Sequence, residues 1–351
     1  MCNFTFGNFT DMADEPKKLT YETYLGLDKL LKCQELESEK EGNRVAEEHL
    51  FIIVHQGFEI WFKQILEDFK GVIDILNEPK IEERTHLSGI TTKLGRCILI
   101  LKVVIQHFEI IETMPPAVFL NFRKYLKSGS GFQSLQFRQI ENTLGLRPET
   151  REQDQPGKDY KDALNTEQSE IAKDSEKGDT LFSVAETWLK NVFGTYVRDR
   201  VQYFNVLSEM MKTWAEDTTM EEHHRGNKEA FDKILKEDTY ETIPDRRLTF
   251  EAFHGALLIS LYQDEPEFQS AYHTIKLFMD IDSLVSKWRH THVLMVHRML
   301  GKKTGTGGSS GYDYLKRTNQ DKYRVFMEFF NMGAYLIPED YKRGEKPYSV
   351  P

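Results

Sequence analysis

Apolar residues recur at helical spacing along most of the chain, and no stretch sustains the period-two alternation of a half-buried strand. The clearest segments predict helices over residues 45–76 and 91–112, and one helix or a helix pair over residues 267–300. The first of these should stop at Asn77-Glu78-Pro79, because proline cannot continue a helix. The pattern therefore predicts an all-α fold built around long helices.

Shorter segments with the same spacing lie between and around the long ones. We predict helices over residues 19–38, 117–126, 181–193, 196–214 and 227–237. The apolar stretch 249–266 returns to the core, and residues 321–338 close the fold. Thr113 in "TMPP" can cap the helix that follows it, and the prolines can open that helix. Ser130-Gly131 breaks one helix, and Ser130 could cap the next.

Residues 146–178 differ from the rest of the chain because they are polar and charged, which is typical of an exposed helix pair or a loop-rich insertion. Internal repeats of 20–50 residues are absent. The chain therefore divides into a mobile tail at residues 1–19, a helical core, a smaller helical insertion at 146–245, and a C-terminal tail at 341–351. The core consists of two segments, residues 20–145 and 246–340.

Composition narrows the class of protein. The 351 residues include 39% hydrophobic and 12% aromatic residues, enough for a large core and an aromatic-lined pocket. The net charge of −10 argues against nucleic acid or an anionic membrane as the main partner. The sequence has neither an 18-residue apolar run nor the basic start and apolar stretch of a signal peptide. We therefore expect a cytosolic protein that neither spans nor binds a membrane.

The three cysteines, Cys2, Cys33 and Cys97, are scattered and odd in number, and they form neither a disulfide framework nor a zinc motif. A Cys-x-x-Cys-His motif for covalent haem attachment is absent as well. Inert thiols in a reducing compartment are the simplest interpretation.

Two histidines lie in the middle of apolar helix faces. His292 shares its face with Leu284, Trp288, Met295 and Met299, and His55 shares its face with Phe51, Phe58, Phe62, Ile65 and Phe69. A lone histidine in such a place is usually a core residue whose ring nitrogens bond a carbonyl or water. An imidazole on an apolar helix face is also how proteins ligate haem iron. The two histidines together make a haem pocket possible, and both interpretations stay open.

The string "HTHVLMVH" does not form a metal cluster of its own. At about 100° per residue, His290 and His292 differ by about 200° around the helix, and His297 lies about 140° from His292. The three imidazoles cannot share one face. His223 and His224 lie in a polar segment, where we expect them to be solvated.

Arg123 in "VFLNFRKYL" is an unusual neighbour for an apolar helix face. It follows Phe119 by one turn and is flanked by Phe122 and Leu126. The arginine could extend along the apolar surface with its charged end in water. Alternatively, its planar guanidinium could bind a carboxylate in bidentate fashion.

The segment "GKKTGTGGSSGY", residues 301–312, has nine small residues and directly follows a predicted helix. Glycines allow backbone N–H groups to approach a ligand closely. A phosphate-binding P-loop is excluded, because Val296 stands where the first glycine of that motif must be.

Four strings, "EEHLFIIVHQGFEIWFKQI", "SGFQSLQFR", "DIDSLVSKWRHTHVLMVHRMLG" and "GTGGSSGY", together resemble the tryptophan 2,3-dioxygenase family. The resemblance covers about residues 20–145 and 246–340, and the strings occur in the order of the family. One departure is "HQGFE", where the family has Ala-Tyr after His-Gln; the change could reshape the pocket slightly.

The resemblance implies a role for each matching residue near the haem. His292 would be the proximal ligand of the iron, and His55 would face the substrate on the distal side. Ser130 and Gly131 would lie near the haem.

The resemblance also implies a substrate site. Arg123 would bind the carboxylate of the substrate, with Phe51 and Phe119 lining the pocket. Thr306 would contact the amino-acid end, and the glycine-rich loop would be a lid over it. Tyr21 and Tyr24 would enter the pocket of a neighbouring subunit.

The function implied in this way is a homotetrameric haem dioxygenase. It would carry one non-covalent haem b per subunit and would cleave the indole C2–C3 bond of L-tryptophan with O2, giving N-formyl-L-kynurenine, the first step of the kynurenine pathway. A haem sensor or gas carrier is a rival hypothesis, although it would need neither Arg123 nor the Thr306 loop. An all-α interaction scaffold without a cofactor is the other rival.

Overall fold

The computed structural model describes residues 19–79, 81, 83–127, 129–152, 159–303, 310–342 and 346–350, without the side chains of residues 83 and 84. Over these residues the chain forms α-helices, short 3-10 turns and one π-helical turn, and no strand. The all-α prediction is confirmed. The α-helices, in chain order, are α1 Tyr21–Leu25, α2 Leu27–Leu30, α3 Glu37–Lys40, α4 Glu47–Leu76, α5 Ser88–Ile111, α6 Pro116–Arg123, α7 Leu135–Leu144, α8 Thr166–Ser175, α9 Leu181–Tyr196, α10 Arg200–Ala215, α11 Lys228–Ile234, α12 Glu237–Tyr240, α13 Phe250–Leu261, α14 Pro266–Leu300, α15 Gly311–Arg317 and α16 Met327–Asn331.

Three long helices form the centre of the fold. α5 packs along both α4 and α14, whereas α4 and α14 make no comparable backbone contact with each other. The apolar face predicted for α4 is buried at Phe58, Phe62, Ile65 and Phe69. Because the facing sides of α4 and α14 are separated, side chains fill the space between them.

The ends of the long helices agree with the sequence signals. α4 ends at Asn77, whose backbone N–H donates to the carbonyl of Ile73, and Pro79 follows two residues later. α14 is one helix of 35 residues rather than a pair, and it begins with Pro266 in its first turn. Proline fits there because the first-turn N–H groups have no partner within the helix.

The predicted helix over residues 19–38 is wrong as a single element, since α1, α2 and α3 replace it. Gly26 separates α1 from α2 with a left-handed backbone (φ +62°), and its N–H donates to the carbonyl of Glu22. Glycine adopts this conformation at little cost, so it ends the helix although the apolar spacing continues.

The start of α6 also differs from prediction. Thr113 does not cap the helix; its hydroxyl donates to the carbonyl of Ile110 at 2.7 Å. Pro115 takes the N-cap position and Pro116 opens α6. Ser130 does cap, but it caps a 3-10 turn over Gly131–Gln133 rather than an α-helix.

The segment predicted as an insertion contains α8 to α12, and α9 packs against both α13 and α4. Buried residues of α9 such as Trp188 and Leu189 belong to the same apolar cluster as those of α4, α5 and α14. The boundaries at residues 146 and 245 stay a prediction. Within the described part of the chain, no helix is long and apolar enough to cross a membrane.

The crossing of α9 and α13 provides a test of this packing. A methyl group added at Gly255 would collide with the backbone carbonyl of Leu189, so Gly255→Ala should push the two helices apart and destabilise the protein by about 1–3 kcal/mol. Gly194→Ala is the matched control, because Gly194 is exposed in the last turn of α9 and has open space around it. That control should be neutral or stabilising by up to about 1 kcal/mol. Thermal unfolding followed by circular dichroism measures both, and equal melting temperatures would contradict the packing.

Candidate functional site

His55 on α4 and His292 on α14 lie on opposite sides of one aromatic cluster. The ring centroid of Phe58 is 6.0 Å from that of His55 and 5.2 Å from that of Phe108, and the ring of Phe108 stacks on His292 at 5.7 Å. Trp288 lies one turn before His292 on α14, and their ring centroids are 5.2 Å apart. The two helix faces singled out in the sequence therefore meet at a single apolar cluster of rings, which is called the chamber below.

The protonation of His55 follows from its hydrogen bond. Its Nδ1 lies 2.7 Å from the carbonyl oxygen of Phe51, and a carbonyl can only accept, so Nδ1 carries the proton. Burial lowers the pKa of His55, although the Phe51 carbonyl and the Glu59 carboxylate oppose that change. At neutral pH the other nitrogen, Nε2, therefore carries a free lone pair that can accept a hydrogen bond.

His292 is partly buried and has no hydrogen-bond partner among the described residues. Its removal from water and the nearby His55 together lower the pKa of His292 to about 4. Its described contacts are to rings, and neither ring nitrogen bonds to any other described residue. A neutral imidazole with an unused lone pair in an apolar chamber is the arrangement that a metal ligand requires.

His254 shows what an ordinary core histidine looks like in the same protein. It is fully buried on α13, and Nε2 donates to the carbonyl of Ile234 at 2.8 Å. Its Nδ1 accepts from the hydroxyl of Tyr203 at 3.1 Å. Both nitrogens are satisfied, so His254 needs no ligand, and the contrast makes His292 the candidate ligand.

Trp288 provides a second unsatisfied group beside His292. Its ring stacks on Phe137 at 4.4 Å, and its Nε1–H is buried without a hydrogen-bond partner. An unpaired buried donor costs about 1–3 kcal/mol, so this N–H is available to a polar edge of a bound group. An imidazole lone pair, apolar rings and a free donor at one place fit a haem, which combines an iron, a flat apolar ring and polar substituents.

α6 brings further aromatic residues against the His55 side of the chamber. The ring of Phe51 lies 4.1 Å from His55, 5.8 Å from Phe119 and 5.5 Å from Phe122. Arg123 lies in the last turn of α6, one turn after Phe119, and is half-buried. The structure thus brings together Phe51, His55 and Phe119, and it places Arg123 on the helix that carries Phe119.

Ser130 and Gly131 lie where the chain crosses from α6 to α7. The hydroxyl of Ser130 accepts from the N–H of Phe132 at 3.4 Å, and the side-chain oxygen of Gln133 accepts from the N–H of Ser130 at 3.0 Å. The ring of Phe132 contacts Tyr314 of α15 at 4.7 Å. This turn is therefore fixed beside the helix that follows the glycine-rich loop.

Three predicted site residues are not brought into the chamber by the described chain. Thr306 lies outside the described residues, and the loop is defined only at its ends, where Gly301 has a φ of +58° and Ser310 caps α15. Tyr21 and Tyr24 belong to α1 and are 77% and 73% exposed. Their side chains face away from the chain that carries them.

The other histidines of "HTHVLMVH" point elsewhere, as the helix geometry predicts. Nδ1 of His290 lies 3.1 Å from the amide nitrogen of Asn319, so it accepts from that group. The ring of His297 stacks on Tyr312 at 4.1 Å. Only His292 of the three turns towards His55.

The departure "HQGFE" has a structural counterpart on α5. A methyl group on Gly57 would lie 3.1 Å from Cε1 of His107, so glycine permits the close approach of that imidazole. The ring of His107 also contacts Phe58 at 5.4 Å. The Gly-Phe pair thus accommodates His107 at the edge of the chamber.

The described structure adds residues that pattern reasoning missed. Glu59, one turn after His55, accepts hydrogen bonds from Ser134 and Gln136. Arg289, three residues before His292, is buried and paired with Glu141 of α7. The sequence does show that Glu59 and Arg289 lie one turn from the two histidines. It does not show their partners, which lie more than 70 residues away along the chain.

An open groove of about 490 Å³ lies elsewhere, between the residues just before α4 and the end of α6. It contains no predicted site residue. Its lining consists of Asn43, Arg44, Val45, Ala46, Leu120, Asn121 and Lys124. The chamber between the histidines, rather than this polar groove, carries the candidate chemistry.

Comparison with known proteins gives one consistent family. A family profile described as "Tryptophan 2,3-dioxygenase" matches residues 10–336. Tryptophan 2,3-dioxygenase of Xenopus laevis is 40% identical over 336 residues, which cover 91% of this chain and 82% of the relative. The enzyme of Rattus norvegicus is 38% identical over 338 residues, with the same coverage of 91% and 82%. Tryptophan 2,3-dioxygenase A of Danio rerio is 37% identical over 343 residues, covering 92% and 83%.

The contrast between the two histidines can be tested through pH. Burial lowers the pKa of His254 to about 3, below the ordinary value of 6.5, so the unfolded chain binds a proton that the folded chain does not. Stability should therefore be full above pH 6.5 and fall as the pH decreases towards 3, by about 1.4 kcal/mol per pH unit from this residue. In His254→Gln that share of the slope should disappear. Urea unfolding between pH 4 and 7 measures the slopes; identical slopes in both proteins would contradict the buried neutral state.

Proposed function

The chain belongs to the tryptophan 2,3-dioxygenase family, and we propose that its chamber carries out the reaction for which that family is named. The enzyme is an oxidoreductase that joins L-tryptophan and O2. The indole C2–C3 bond is cleaved and both oxygen atoms enter the product, N-formyl-L-kynurenine, which begins the kynurenine pathway. Because O2 supplies both atoms and all the oxidising equivalents, the reaction consumes no separate reductant.

The cofactor is haem, and we assign it as a non-covalent haem b with one molecule per subunit. His292 would bind the iron through its free ring nitrogen, and Trp288 would offer its unpaired N–H to the edge of the macrocycle. The iron supplies the activation of O2 when it is bound. The pKa of about 4 keeps the His292 imidazole neutral at pH 7, so no proton must leave before it binds metal.

His55 acts by positioning. Its Nδ1–H is engaged by the carbonyl of Phe51, which leaves Nε2 to accept the indole N–H of the substrate. The lowered pKa of His55 favours this neutral accepting form. The tilted ring of Phe51, 4.1 Å from the imidazole, restricts its rotation and covers the same side of the chamber.

The amino-acid end of the substrate is bound by Arg123 and Thr306. The Arg123 guanidinium pairs with the carboxylate, while Phe119, one turn before it, contacts the indole together with Phe51. Thr306 and the glycine-rich loop close over the zwitterion. Ser130 and Gly131, fixed by the 3-10 turn that precedes α7, would lie near the haem.

The quaternary structure is a homotetramer in which N-terminal segments are exchanged, and the protein is cytosolic. α1 and α2 bury no side chain against their own chain, and Tyr21 and Tyr24 are mostly exposed. Exposed apolar residues on the long helices would also be covered; these are Ile53, Ile60, Trp61, Leu99, Val103, Ile110 and Leu294. In the tetramer, Tyr21 and Tyr24 would reach the chamber of a neighbouring subunit.

One observation supports the function more than any other. His292 is partly buried, neutral and without a described hydrogen bond at the chamber that His55 faces, whereas the fully buried His254 has both nitrogens satisfied. A carrier of O2 or a haem sensor would use the same iron ligand. It would not need an arginine beside the aromatic wall, so Arg123 favours an enzyme acting on an amino acid.

Product formation tests the proposed function. Protein reconstituted with haem, reduced and mixed with L-tryptophan in air should form N-formyl-L-kynurenine, detected by its absorbance and mass, with both added oxygen atoms derived from labelled O2. Haem binding without product would support the sensor instead. A protein that takes up no haem would refute both.

His55→Ala should lower kcat/KM for L-tryptophan about tenfold without abolishing turnover, because one hydrogen bond of about 1–1.5 kcal/mol is lost. The same variant should lose little activity on N1-methyl-L-tryptophan, which has no indole N–H to donate. Steady-state kinetics on both substrates provide the comparison. Equal losses on the two substrates would show that His55 acts in another way.

Arg123→Ala should raise KM for L-tryptophan about 10- to 100-fold, since a charged hydrogen-bonded pair contributes about 1.5–3 kcal/mol. Lys124→Ala is the control, because Lys124 is the next residue and is exposed. The preference of the enzyme for tryptophan over tryptamine, which lacks the carboxylate, should shrink in Arg123→Ala alone. An unchanged KM and an unchanged preference would exclude Arg123 as the carboxylate partner.

A further inference from the structure

α7 contacts both histidine-bearing helices, which meet each other mainly through the rings of Phe58 and Phe62 on α4 and Trp288 on α14. We propose that α7 is a strut, bonded at one end beside His55 and at the other beside His292, that fixes the separation of the two imidazoles across the haem. The inference rests on the proposed function, because it assumes that a haem lies between them. It assigns positioning roles to Glu59, Gln136, Glu141 and Arg289, none of which would touch the substrate.

The first end of the strut is bonded to α4. Ser134, the N-cap of α7, donates its hydroxyl to the Glu59 carboxylate at 2.6 Å. The side-chain amide of Gln136 donates to the Glu59 carboxylate and to its backbone carbonyl, both at 2.8 Å. Glu59 lies one turn after His55, so these bonds hold the part of α4 that aims the distal imidazole.

The second end is bonded to α14. Arg289 donates to the Glu141 carboxylate at 2.8 Å and to the backbone carbonyl of Tyr323 at 3.3 Å. Arg289 and Glu141 are both about 5% exposed or less. Arg289 precedes His292 by three residues and thus lies one turn from the proximal imidazole.

Glu141 is held by more than one cation. Arg138 and Arg151 also donate to its carboxylate, so three arginines surround one buried acid. Their charges keep the pKa of Glu141 well below its usual range despite its burial. A carboxylate held on several sides cannot turn away, which makes it a rigid point of attachment for Arg289.

The geometry of α7 suits this role. Ser134 and Glu141 are seven residues apart, which corresponds to about 10 Å along the helix. α7 also packs directly on α4, and its Phe137 stacks on Trp288 of α14 at 4.4 Å. One short helix therefore contacts both walls of the chamber, while α5 supports the same two helices from another side.

The experiment compares Gln136→Ala, which removes two of the three hydrogen bonds from the start of α7 to Glu59, with Arg289→Lys, which weakens the α14 end, and with the double variant. Haem-loaded proteins are mixed with an excess of a haem-accepting protein, and the rate of haem loss is measured. Each single change should accelerate haem loss about tenfold, the lower range for residues that support metal ligands. Because a strut released at either end no longer transmits force, the double variant should also be about tenfold faster, not a hundredfold.

Vibrational spectra of the same proteins report position rather than stability. The iron–histidine stretching band of the ferrous protein should shift in Arg289→Lys, and the C–O stretching band of the carbonyl complex should shift in Gln136→Ala. The double variant should show both shifts. Two matched controls should show neither. Arg298→Lys alters the ion pair between the exposed Arg298 of α14 and Glu112, which follows α5. Gln139→Ala changes a residue of α7 that makes no hydrogen bond to a described residue.

Each outcome decides the proposal. Additive acceleration to about a hundredfold would mean two independent local supports and would overturn the strut. Haem loss and spectra equal to those of the controls would overturn it too. Wild-type protein that binds haem and forms product keeps the proposed function intact in either case, whereas wild-type protein that takes up no haem would instead refute the proposed function.

Discussion

The structure depends on a neutral imidazole that is largely enclosed by aromatic rings and that the described chain does not bond. His292 is surrounded by Phe108 and Trp288, its pKa is lowered to about 4, and its ring nitrogens have no partner among the described residues. Burying a polar group in this way is unfavourable unless something binds it. The iron of a haem would remove that penalty, so the cofactor and the apolar chamber stabilise each other.

On the opposite wall of the chamber, the imidazole is hydrogen-bonded to the protein through one nitrogen only. His55 has one nitrogen committed to its own helix and one left for the substrate, whereas His254 has both committed to the protein. His254, His55 and His292 thus differ by how many of their nitrogens the described chain satisfies. That number, and not burial itself, separates a structural histidine from one that accepts a ligand.

Much of this could be predicted from the sequence, because it depends on local periodicity. The faces of α4 and α14 carry His55 and His292 inward, as helical spacing requires, and the resemblance supplied the expected role of each. The break at Gly26 was missed, since a single left-handed residue overrides the apolar pattern. Ion pairs such as Glu141 with Arg289 were also missed, because 148 residues separate the partners and periodicity carries no information on tertiary contacts.

The most direct measurement of the central claim is a haem titration of the purified apoprotein followed by its Soret absorption, in wild type, His292→Ala and His290→Ala. His290 is exposed on the same helix two residues earlier and serves as the matched control. Wild type and His290→Ala should each bind one haem per chain tightly, and His292→Ala should bind weakly and lose the spectrum of histidine-ligated haem. Tight binding with an unchanged spectrum in His292→Ala would contradict the assignment of the iron ligand and of the chamber built around it.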